Sequence, residues 1–271
     1  MYTSYKFQRV FILYILNLYS FFRWIGAESL IGTSPGVGMH PKQTDALIDS
    51  SMIQYNMQSK TDSDHVAGYG GWVERTKSFL DKYDASKGKD CSASNGADGG
   101  TTEFCKFKTS VLHPCDSGNY GFDEGKPCVF LKLNKIYGVD NDYYNDPEDL
   151  PDEMPQELKD HIKTQADKNQ VWIECHGEYP ADVEALGKIQ YFPTTRGIPQ
   201  YYFPYMNQKG YQSPVVAVKF ENAKKNQLLH VECRAWAKNI GYHKRDRIGI
   251  NHMEIHILDN NSAAEIDKSL S

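Results

Sequence analysis

Six cysteines carry the plainest chemistry in this chain: Cys91, Cys105, Cys115, Cys128, Cys175 and Cys233. No two stand at the C-x-x-C spacing of a zinc knuckle or a redox dithiol, so their even number reads as a disulfide framework in an oxidising compartment. Six cysteines allow fifteen pairings. The sequence favours Cys91–Cys105 and Cys115–Cys128, which close short loops rich in Gly, Ser and Asp, and Cys175–Cys233, which joins two segments that alternate as strands. Other candidate groups are weaker. His252, Glu254 and His256 alternate, share one strand face and would clamp a metal only with a further ligand, so a plain strand face is the simpler account. Asp146, Glu148, Asp149, Asp152 and Glu153 lack the EF-hand spacing and lie among prolines, which fits a solvated face better than a calcium loop. The chain has no G-x-S-x-G, H-E-x-x-H or G-x-x-x-x-G-K-[ST] pattern and no visible nucleophile–base constellation, which argues against a hydrolase.

The elements that hold these residues are mostly strands. The chain has 271 residues, 13% of them aromatic, and a net charge of −5. That length suits one large domain or two small ones. No basic stretch tracks a phosphate backbone, which speaks against nucleic acid as a partner. Alternation predicts strands at Phe104–Lys108, Pro127–Ile136, Gln170–His176, Ile189–Phe192, Val215–Glu221, Leu228–Ala237 and Met253–Leu258. In the clearest, Leu229, Val231, Cys233 and Ala235 share one face, and Val171, Ile173 and Cys175 do the same in another. One helix is expected, from about Asp64 to Asp84, with Val66, Tyr69, Val73, Thr76, Phe79, Leu80 and Tyr83 at spacings of three and four. Asp140–Asp167, acidic and interrupted by Pro147, Pro151 and Pro155, reads as a surface excursion rather than core.

At the N-terminus, Lys6 and Arg9 precede the apolar run Val10–Phe22. Thirteen helical residues span about 20 Å, short of a hydrocarbon core of roughly 30 Å. The run fits a signal-peptide h-region, with Ile25-Gly26-Ala27 as a cleavage site. Either export reading places residues 28–271 outside the cytosol, and the two cations agree with the positive-inside rule. The expected division is an anchor- or signal-like segment at 1–27, a Gly/Pro-rich stalk at 28–63, a disulfide-bonded extracellular domain at 64–260 and a tail at 261–271. Asn260-Asn261-Ser262 is the one N-x-[ST] acceptor, making Asn260 the candidate for N-glycosylation. Tyr191-Phe192-Pro193 and Tyr201-Tyr202-Phe203-Pro204-Tyr205 lead through Tyr211 to Pro214. So many aromatics among prolines exceed what strand core needs, and tyrosine anchors are enriched at interface cores.

From about Glu28 onward the chain resembles the beta subunit of the sodium/potassium-transporting ATPase and its proton/potassium relatives. The resemblance rests on Pro35-Gly36-Val37-Gly38, Ser78-Phe79-Leu80-Asp81-Lys82-Tyr83 and Tyr120-Gly121-Phe122-Asp123-Glu124-Gly125-Lys126-Pro127-Cys128. It continues through Lys132-Leu133-Asn134-Lys135-Ile136, Tyr201–Tyr205, Ala217-Val218-Lys219-Phe220 and Asn239-Ile240-Gly241-Tyr242 with Asp246-Arg247. It implies a mainly β fold: an immunoglobulin-like sandwich with long insertions and one helix, behind a single anchor that makes the chain a type II plasma-membrane glycoprotein. It also implies three sequential disulfides, no catalysis and no cofactor. The partner implied is the catalytic alpha subunit of a P-type cation pump, which such a chain helps to fold, leave the endoplasmic reticulum and occlude potassium. Tyr201, Tyr202, Pro204 and Tyr205 match the region that lies near the alpha subunit's outer loop, and Tyr201 and Tyr205 are the favoured contacts. Residues 1–27 depart from the family's longer tail and anchor, and one sequon replaces the usual several. A pump-independent adhesion module of the same fold is the alternative function.

Overall fold

A computed structural model describes residues 35–43, 51–62, 67–96 and 103–260. The apolar run and the rest of segment 1–27, most of the sequon and the tail 261–271 lie outside the described residues. Asn260 itself is exposed just beyond the last strand.

The described chain is mainly β. One sheet orders its strands β1 (Val37–His40), β3 (Cys128–Leu133), β7 (Val216–Phe220) and β5 (Ile189–Phe192), all antiparallel. The other orders β2 (Met52–Asn56), β9 (Ile250–Leu258), β8 (Leu228–Trp236), β4 (Gln170–Gly177) and β6 (Gly197–Pro199). It is antiparallel except for the parallel pair β2–β9. Both sheets turn apolar side chains into one core: Val129, Leu131, Val216 and Val218 from the first, and Val171, Ile173, Leu229, Val231, Met253 and Ile255 from the second. Each of these ten is fully buried, and at about 1.5–3 kcal/mol per large aliphatic this shared core is the main stabilising term.

Two stretches of the segment expected as a stalk are strands of these sheets. Val37 and Met39 of β1, with Ile53 and Tyr55 of β2, bury alternate side chains. Windows of four and five residues between glycines and prolines are too short for that alternation to be read from sequence. Phe104–Lys108, expected as a strand, makes only an isolated bridge between Lys89 and Cys105.

Among the described residues three α-helices occur where the extracellular domain was expected to hold one. Helix α1 (Gly70–Asp84) packs Trp72, Thr76, Phe79, Leu80 and Tyr83 inward. It starts at Gly70 rather than near Asp64, and the chain crosses itself there: a Cβ on Gly70 would collide with the Lys60 carbonyl oxygen. Its ends are tied to distant segments, with Trp72 Nε1 donating to the Gln54 carbonyl (3.0 Å) and Tyr83 Oη donating to that of Ser213 (2.8 Å). Helix α2 (Gln156–Thr164) lies inside the acidic excursion, which is therefore not wholly surface. Met154, Leu158 and Ile162, spaced by four, cover Trp172 and Trp236, neighbours across β4 and β8. Helix α3 (Pro180–Leu186) follows β4 and buries Asp182 and Leu186.

The disulfides are Cys91–Cys105, Cys115–Cys128 and Cys175–Cys233. The last joins register partners in β4 and β8, so it ties neighbouring strands of one sheet rather than one sheet to the other. The link between sheets at this point is Tyr191 of β5. Its hydroxyl accepts the Cys175 N–H (2.9 Å) and lies 3.3 Å from the Cys175 carbonyl oxygen, to which it donates.

Candidate partner interface

The aromatic segment follows β6 through a single 3-10 turn, Gln200–Tyr202. Pro199 ends the strand because it has no N–H for a further ladder bond. The chain then turns outward with Tyr201 and Tyr202 side by side, ring centroids 4.6 Å apart and both half-buried. Tyr202 leans on Phe107 (5.8 Å), and burial pushes its phenol pKa up. Phe203 and Pro204 are also half-buried, and Phe203 packs against the main core.

Tyr205, one of the two favoured contacts, turns inward. It is 3% exposed and forms a small cluster with Phe104 and Tyr211. Its hydroxyl donates to Asn207 Oδ1 (2.8 Å) and its carbonyl accepts the Gly138 N–H (2.8 Å). With its hydroxyl and carbonyl both bonded and its ring packed on Phe104 and Tyr211, Tyr205 is buried structure here. Tyr201 and Tyr202, not Tyr205, present the segment's tyrosine surface. Four aromatics in five residues give no periodicity that could sort inward from outward.

Beside this segment is an open apolar cavity of about 190 Å³. Phe203, Tyr205, Tyr211 and Pro214 form one wall, with Leu133, Ile136, Ile198 and Ile240 opposite. Val139, which lines it, is 39% exposed, and Tyr137, which bridges to Tyr205, is 37% exposed. Lys135 lies in the wall, its ammonium 5.4 Å from the rings of both Tyr205 and Tyr211 and donating to the Tyr211 carbonyl (3.0 Å). Burial lowers its pKa. The sequence singled out neither Lys135 nor the cavity, because the lining comes from five separated segments.

The other candidate residues sit elsewhere. His252, Glu254 and His256 alternate on the outer face of β9, where His252 pairs with Glu178 (2.7 Å). Among the described residues no group of three such side chains is placed to hold a metal ion. Within the acidic excursion, Asp146 accepts the Glu148 N–H (3.0 Å), Asp149 pairs with Lys238 (2.9 Å) and Glu153 approaches Arg234 (3.9 Å). These are bonds of a folded surface.

A disulfide-tied pair of sheets with one unfinished aromatic corner is the build of a binding module, since exposed apolar patches mark interaction sites. The comparisons agree. The family described as "Sodium / potassium ATPase beta chain" matches residues 13–253, and the chain belongs to that family. It is 38% identical to sodium/potassium-transporting ATPase subunit beta-2 of Drosophila melanogaster over 247 residues, 86% of this chain and 74% of the relative. It is 39% identical to subunit beta-1 of the same fly over 235 residues, 84% and 72% of the two chains. To the human subunit beta-2 it is 31% identical over 187 residues, 62% and 56%.

Proposed function

We propose that this chain is the non-catalytic accessory subunit of a sodium/potassium pump. It binds the catalytic alpha subunit, assists its folding, assembly and delivery to the plasma membrane, and modulates potassium transport. In this reading the described part is an immunoglobulin-like sandwich on the extracellular side, held by the N-terminal segment as a type II signal-anchor. The proposed anchor is the apolar run Val10–Phe22, which lies outside the described residues; among the described residues no helix is long and apolar enough to cross a membrane. The observation that carries the proposal is the half-buried Tyr201–Tyr202 pair in the segment whose Phe203 and Tyr205 line an open apolar cavity, in a chain of the beta family. Rigid aromatic surface of this kind loses little side-chain entropy on binding and supplies the anchors of interfaces.

The test is co-expression of the full chain with a sodium-pump alpha subunit. Alpha should co-purify with it, and alpha at the cell surface should rise severalfold over alpha expressed alone. If the chain reaches the surface alone and alpha does not respond, the pump role fails and the adhesion role takes its place.

A further inference from the structure

In a chain of net charge −5, four lysines gather next to the aromatic corner. Lys132 and Lys135 stand at the end of β3, with Lys82 in the last turn of α1 and Lys42 just after β1. Lys132 lies over the ring of Phe79 (5.5 Å), which stacks on His40 (4.0 Å). Lys82, Lys132 and Lys135 have no carboxylate within ion-pair distance among the described residues. Burial, then the charges of Lys135, Lys42 and Lys82, bring the Lys132 pKa down to about 8. Burial and the same kind of repulsion, from Lys132, Lys42 and Lys82, hold His40 at about 3. Several other surface lysines have a carboxylate partner: Lys77 with Asp81, Lys108 with Asp90, Lys238 with Asp149 and Lys244 with Glu178. Lys132 and Lys135, two partly buried like charges with no carboxylate at hand among the described residues, form an arrangement that an incoming anion stabilises.

The cavity adds a second requirement. At about 190 Å³ it is close to the volume, roughly 150 Å³, that accepts one benzene ring, and too small for a drug-sized ligand. It therefore suits a single aromatic or branched aliphatic side chain. Lys135 belongs to both features, since it lines the cavity and is one of the charges acting on Lys132.

We propose that this corner receives an acidic loop of the partner subunit, one carboxylate settling against Lys132 and Lys135 while a neighbouring apolar side chain enters the cavity. The proposal rests on the reading that this face meets alpha, and adds the chemistry that recognises it. Charge supplies orientation and encounter rate; the buried side chain supplies residence time.

The experiment uses the full chain co-expressed with an intact alpha subunit, solubilised and captured at low and at high salt. Wild-type recovery should fall as salt rises. Lys132→Glu with Lys135→Glu should lower it about tenfold, and the matching Arg substitutions should keep it. Val139→Trp, placed at the exposed mouth to plug the cavity without entering the core, should lower it to a similar extent. Each variant is first checked for three intact disulfides. Salt-independent wild-type recovery overturns the proposal, as does wild-type recovery by either the charge-reversed or the plugged variant. If those variants bind normally while Tyr201→Ala with Tyr202→Ala does not, the face stands and only its acidic partner chemistry falls. If the tyrosine variant also binds normally, the face itself was wrongly assigned.

Discussion

Two proline-interrupted segments lie against this β structure, and they end differently. The excursion around α2 finishes its own packing: Met154, Leu158 and Ile162 bury themselves on Trp172 and Trp236, and none of the five is more than 3% exposed. The corner after β6 does not. It buries Tyr205 and Tyr211, then leaves Val139 exposed at an open cavity, Tyr137 exposed two residues before it, and Tyr201 and Tyr202 only half-buried. Both have the composition of an interface. Only the second has apolar surface left over for one, so aromatic content identifies candidates and the unburied remainder selects between them.

The largest effect should come from removing what both regions stand on. The Cys175–Cys233 bridge spans 58 residues and fixes β4 to β8, the strands that carry Trp172 and Trp236 and, through β6, lead into the aromatic corner. In the chain-entropy model a loop of this length contributes about 4 kcal/mol, against about 3 for each shorter loop. Cys175→Ser is therefore the most damaging single cysteine change, lowering secretion of the soluble domain and its recovery with alpha together. Equal or greater damage from Cys91→Ser would show that the sheet does not depend on this bridge.

Next in size is Leu158→Ala, which opens space under α2. Truncation of a fully buried leucine costs about 2–5 kcal/mol. Denaturant unfolding should register that loss, while the fraction of folded chain that binds alpha stays at the wild-type level. If binding by the folded fraction dropped as well, the α2 region would be part of the interface and the contrast would collapse. The smallest effect on stability belongs to Tyr201→Ala with Tyr202→Ala, because both rings are half-exposed. It should cost roughly 1 kcal/mol in unfolding, in keeping with partly solvated positions. The same pair should cost about 2 kcal/mol or more in assembly with alpha. A variant that unfolds several kilocalories more easily yet assembles normally would mean that the pair belongs to the core.

These distinctions were only partly legible in the sequence. Strands β4 and β8 announce themselves by alternation over most of their eight or nine residues, β9 does so only from Met253, three residues after its start, and β5 keeps the bounds expected for it. Strands β1 and β2 are too short to do so. Helix α2 offers a single apolar row at a spacing of four among acids and prolines, and its reason for existing, two tryptophans on strands that come later in the chain, is a tertiary fact. The corner was legible as composition: Tyr201 through Tyr205 stand out in any reading. Which ring turns inward depends on Phe104, more than ninety residues away, and on a backbone bond from Gly138, neither of which leaves a local trace. Lys135 was one basic residue among 30, and its importance comes from the tyrosines it touches and the carboxylates it lacks.

One hydroxyl group has a consequence for the life of the unassembled chain. Strand β6 pairs with β4 only as far as Trp172, leaving the outer edge beyond it without a neighbouring strand. At Cys175 the Tyr191 hydroxyl takes both the N–H and the carbonyl that an added strand would use. A bare edge is a template on which a second molecule can extend the sheet. Tyrosine here plays the part of a missing strand, so one copy of the chain offers another less to zip onto at this position.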